Sequence, residues 1–174
     1  MTHSIEEEKA MFYNITDFIK ENLSYPCLSN ALIFGLSLEI SRHAKKNFST
    51  ANELVEQEME KIKRLTKVYF PELPDEALYQ FTPAPCLCEC KNPKNRSHCE
   101  TVMRNLFTFM GGNLQNPYLI EGLEYGIITL AINRAYEYEN PEQELEGILE
   151  WTEHALNDAL LTNIFGAEDA KTKN

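Results

Sequence analysis

The sequence predicts an all-α fold: a single-domain bundle of about six helices, with a cysteine-rich metal-binding loop between the central helices. Three observations predict it. Apolar residues recur at three- and four-residue intervals along most of the chain, and strand-like alternation is nearly absent. Capping residues with Glu or Gln three positions later precede several of these stripes. Proline and glycine fall between the stripes, where helices stop. The chain has 174 residues, a length suited to one domain. Its 43% hydrophobic and 25% charged residues make an ordinary globular composition, which excludes wholesale disorder.

Ser4-Ile5-Glu6-Glu7 has the form of a capping box, and behind it Met11, Phe12, Ile15, Phe18, Ile19 and Leu23 make one apolar stripe up to Pro26. A second helix starts near Ser29 and is apolar nearly all round, from Ala31 to Ile40, which means burial on several sides. Gly35 in its middle costs on the order of 1 kcal/mol in helix propensity, so it is expected to permit a close helix contact. Thr50-Ala51-Asn52-Glu53 is another capping box. It opens a helix carrying Leu54, Val55, Met59, Ile62, Leu65 and Tyr69, stopped at Pro71.

A short helical piece follows over Asp75 to Phe81, then an irregular stretch from Thr82 to Arg96. Ser97-His98-Cys99-Glu100 reads as a helix start, and Gly111-Gly112 as the stop of that helix. Asn116-Pro117 places a cap before a helix-start proline. The helix it opens carries Gly122 and Gly126 one turn apart, which marks the approach of a neighbouring helix. Asn140-Pro141-Glu142-Gln143 opens the last helix, with Leu145, Ile148, Leu149, Leu156 and Leu160 inward. These elements place one domain over residues 1–166, including a zinc loop over 82–99, and a flexible tail over 167–174.

Four of the five cysteines and one of the four histidines lie between Cys86 and Cys99. An irregular loop of about 15 residues inside a domain needs something to order it. Zinc does so by taking four Cys or His ligands tetrahedrally. The expected site is Zn²⁺ on Cys86, Cys88, Cys90 and Cys99, with His98 as the alternative to Cys90. Four thiolates would carry a net −2 with the metal, and Lys91, Lys94 and Arg96 stand in the same loop to offset it. The single-residue gaps differ from the usual two-residue knuckle, so the chain has to turn at Leu87 or Glu89. No ferredoxin spacing is present, which leaves an iron–sulfur cluster as the lesser metal option. Cys27 reads as a small buried apolar residue outside the ligand set.

Charge is unevenly spread over the net −11. From Asn105 to Ala170 there are 12 acids and one base, Arg134. That half is a poor surface for nucleic-acid phosphates and suits a protein partner, a basic one included. Trp151 on the last helix is ringed by Glu146, Glu150 and Glu153, and these four are the expected partner contacts. Lys61, Lys63, Arg64 and Lys67 follow Glu56, Glu58 and Glu60 and read as a solvated, salt-bridged face. Glu39/His43 and Glu150/His154 read as surface pairs one turn apart.

No apolar run approaches the roughly 18 residues of a membrane span. The first residues are acidic where a secretory signal would be basic and then apolar, so the expected location is cytoplasmic. There is no Gly-rich phosphate loop, nucleophile elbow or paired catalytic carboxylate motif. The leading expectation is a non-enzymatic helical protein-interaction module of adaptor, chaperone or inhibitor type with a structural zinc. A metal- or redox-responsive thiol sensor built on Cys86–Cys99 is the alternative. An enzyme whose site is assembled from scattered residues stands third.

Overall fold

The computed structural model describes residues 5–25, 27–44, 50–70 and 93–162, with the side chains of residues 44, 51 and 93–98 set aside. Six helices and no strand occur among the described residues: α1 (Ile5–Asn22), α2 (Leu28–Ala44), α3 (Ala51–Tyr69), α4 (Pro93–Asn113), α5 (Leu119–Ala135) and α6 (Pro141–Leu160). The expected piece at Asp75–Phe81 lies outside the described residues, as do residues 163–174.

The two most apolar helices, α2 and α5, form the centre. Helix α2 packs on α4, α5 and α6, while α5 also meets α1, α3 and α6. Both therefore bury nearly their whole circumference, as an all-round apolar pattern requires. One continuous core joins Met11, Ile15 and Ile19 of α1 to Leu32 and Leu36 of α2, Ile62 of α3, Leu106 of α4, Leu123 and Ile128 of α5 and Leu156 of α6.

The small residues lie where helices come closest. A Cβ on Gly35 would stand 3.1 Å from both Leu106 Cδ2 and Met110 Sδ, so this glycine seats α4 on α2. A Cβ on Gly122 would stand 2.6 Å from Met11 Sδ, and one on Gly126 3.2 Å from Leu32 Cδ1 and 3.3 Å from Ile15 Cγ1. This pair thus admits side chains of α1 and α2 rather than a bare backbone.

The caps are right in place more often than in detail. Thr50 and Glu53 make the reciprocal box at the start of α3, with Glu53 N–H donating to Thr50 Oγ1 at 3.3 Å. Asn140 caps α6 by accepting from Gln143 N–H at 3.4 Å. Three boundaries differ from expectation. Helix α4 begins at Pro93, so Ser97 to Glu100 lie inside it. Proline suits a first helical position because its missing N–H would have no partner there. The same helix runs through Gly111 and Gly112, because two exposed glycines weaken a helix without breaking it. Asn116 Oδ1 accepts from Tyr118 N–H at 2.9 Å, a local turn that delays the start of α5 to Leu119.

Candidate functional site

The metal expectation fails at Cys99. Its sulfur is bonded to Cys27 across 72 residues, tying the start of α2 to the second turn of α4. A disulfide sulfur is not a thiolate and cannot complete a zinc site. Among the described residues, no group of three or more His, Cys, Asp or Glu could hold a metal ion. The Zn²⁺ assignment, and with it the ligand role of Cys99, is therefore corrected. Cys86, Cys88 and Cys90, and the side chain of His98, lie outside the described residues. Cys27 is indeed buried, as read from sequence, but as one half of a covalent link. No short-range spacing could have revealed a pairing of that separation.

A second polar centre appears where sequence suggested a solvated face. Lys61 of α3 turns inward, with Nζ 2.9 Å from Glu124 Oε1 and 3.9 Å from Glu121 Oε1, both on α5. Glu124 is fully buried. Glu58, one turn before Lys61, has its carboxyl pushed up to about 9. Burial is the largest cause, followed by a hydrogen bond to Glu124 and that group's negative charge; Lys61 pulls the other way. Near neutrality Glu58 thus holds a proton, on the side of the residue that faces Glu124. Burial lowers the Lys61 ammonium, but the three surrounding carboxylates more than offset this and hold it above its ordinary value. The arrangement clamps α3 to α5. Chemically it can store and release one proton, yet Glu124 is closed to any substrate.

Pairing at Glu39 is similar in part. Its carboxylate is buried rather than at the surface, with Arg42 Nη2 at 2.7 Å and His43 Nε2 at 4.0 Å, both of these partners being exposed. His154 is exposed, as its position on the helical wheel implied.

The third feature is a groove of about 470 Å³ between α3 and α6. Phe70 caps one end: its ring stacks on Tyr136, centroids 5.2 Å apart, and its carbonyl accepts from the Tyr136 hydroxyl at 3.0 Å. At the other end Lys63 Nζ lies 3.8 Å from Glu153 Oε2. These two contacts show that α3 and α6 run antiparallel. Lys63, Thr66 and Lys67 stand along the α3 wall, and Glu142, Glu146 and Glu150 along the α6 wall. Leu145, Leu149 and Phe70 supply apolar floor. Within each helix these positions recur at three- and four-residue intervals and so share one face.

The four expected partner contacts separate here. Glu146 and Glu150 line the groove, Glu153 flanks it through Lys63, and Trp151 is half-buried against the core. The floor of the groove is what sequence reasoning missed, since Leu145 and Leu149 had read simply as core.

Comparison of the chain with models of known protein families, with curated proteins and with solved structures finds no match.

Proposed function

We propose that this chain is a non-enzymatic helical protein-interaction module, of adaptor, chaperone or inhibitor type. One observation carries the reading: the α3–α6 groove joins an apolar floor to charged walls whose Lys67, Glu142, Glu146 and Glu150 make no ion pair among the described residues. Charges beside apolar surface, without ion-pair partners among the described residues, suit recognition of another macromolecule. The perturbed carboxyl of Glu58 does not argue for catalysis, because its partner Glu124 is sealed inside the helix contact. No helix among the described residues is long and apolar enough to cross a membrane.

Affinity-tagged full-length chain, expressed in its native host, tests the reading. A protein enriched over the tag-only control, and displaced by untagged chain, is the expected outcome. Absence of any displaceable partner overturns it.

The Cys27–Cys99 bond favours a second reading, a redox-responsive thiol pair. In a cytoplasm such a bond stands against a reducing thiol pool. Two low-molecular-weight thiols would deliver two electrons and two protons, leaving joined as their own disulfide while Cys27 and Cys99 become thiols. Alkylation before and after incubation with a glutathione buffer should label both cysteines only in the reduced sample. A pair that the buffer never opens would remove this reading.

A further inference from the structure

We propose that the α3–α6 groove receives an amphipathic helical segment of a partner protein, with apolar side chains on Leu145, Leu149 and Phe70 and lysine or arginine facing α6. This rests on the interaction-module reading and gives its site a chemistry. The argument begins with charge. Glu142, Glu146 and Glu150 are spaced one helical turn apart along one rim, and none has an ion-pair partner among the described residues. The opposite rim offers Lys67 and a Lys63 that leans 3.8 Å toward Glu153 beyond the groove. Three open carboxylates against one open ammonium select a basic flank over an acidic one, and they repel phosphate backbones.

Length and shape point to a helix. From Glu142 to Glu150 the wall of α6 is about 12 Å long at 1.5 Å per residue. That spans a little over two turns, the reach of apolar anchors at i, i+3 or i+4, and i+7 in a helix-in-groove complex. The groove runs along the seam where α3 packs on α6, so a third helix can lie over it with its flanks against both walls. A basic residue every turn on that helix would match the period of the three glutamates.

The test uses the full chain and two fluorescein-labelled, lactam-bridged helical peptides of 14 residues. Both carry leucine at alternating three- and four-residue steps. One bears lysine along a flank, and the other bears glutamate at the same positions. Anisotropy titration should show the lysine peptide binding at least about tenfold more tightly, with the preference shrinking as salt rises. The triple variant E142Q/E146Q/E150Q, altered only at the rim, should lose most of that preference. Leu149→Glu should abolish binding of both peptides, its helix content being checked by circular dichroism. Equal binding of the two peptides, no binding, or an undiminished preference in the triple variant overturns the proposal. So does self-association of the chain through the groove in sedimentation, which would make a second copy the occupant.

The broader reading is judged separately by capture from the native host. If the triple variant and Leu149→Glu hold the same displaceable partner as the natural chain, the groove proposal falls while the module reading stands. If the natural chain holds none, both fall.

Discussion

The two sides of α3 carry the same kinds of residue and treat them in opposite ways. Toward α5, Glu58 and Lys61 are drawn into a closed cluster with Glu121 and the fully buried Glu124. Toward α6, Lys63 and Lys67 face Glu142, Glu146 and Glu150 across an open groove with only one loose pair at its end. Enclosure of the charged groups makes the difference: Glu124 is sealed from solvent, whereas Lys63, Lys67, Glu142, Glu146 and Glu150 are exposed. Where α5 lies close, water is excluded, a carboxylate can stay only with a cation or a proton, and both are supplied. Along the exposed rims of the groove, water serves each charge and pairing gains little. The comparison teaches that a Lys/Glu-rich helix does not reveal which of its charges hold the fold and which are free for a partner.

The closed side should break most severely at its cation. Lys61→Met leaves Glu124 buried without it and should cost about 3 kcal/mol in urea unfolding near pH 8. Adding Glu124→Gln, which removes the charge left without its cation, should recover much of that loss. No recovery in the double variant would show that packing rather than charge holds this contact.

The proton on Glu58 gives a second, graded effect. Its carboxyl stands near 9 in the fold against an ordinary value of 4.5, so the folded state binds the proton more tightly. The stability this contributes is fully present below pH 4.5 and declines as pH rises toward about 9, then levels off. The slope should be at most about 1.4 kcal/mol per pH unit. Glu58→Gln, which keeps a neutral donor toward Glu124, should flatten that decline and be more stable than the natural chain at pH 8. An unchanged pH profile of thermal melting would place the proton elsewhere.

A smaller effect concerns a buried polar group that found no partner. Asn133 is, like Glu124, fully buried on α5, yet neither atom of its amide makes a hydrogen bond among the described residues. Asn133→Leu, of similar shape, should stabilise the chain by about 1 kcal/mol because an unmet polar group is removed. Destabilisation in chemical unfolding would mean that the amide is satisfied after all. Smallest of all, Lys67→Gln and Glu142→Gln on the open side should leave the unfolding midpoint within experimental error, since water already solvates both. A clear shift would show that the groove is closed in solution.

The sequence by itself determined the helices and the burial of α2 on several sides, while the central place of α5 came from the packing. Three- and four-residue periodicity and local caps such as Thr50/Glu53 and Asn140 are written within one or two turns of chain. Gly35 and the Gly122/Gly126 pair were legible as points of close approach for the same reason: a missing side chain in a helix interior signals a neighbour. Of the candidate groove, Glu146 and Glu150 could be read and the Leu145/Leu149 floor could not, because an inward stripe looks the same whether it is fully covered or partly open. Only the tertiary structure decided that Lys61 turns inward, that Glu58 keeps a proton, and that Cys99 bonds Cys27 rather than a metal. Each depends on which helix lies opposite, and that is a property of contacts between residues dozens of positions apart. Periodicity fixes the direction a side chain faces along its own helix. What it meets there is set by packing.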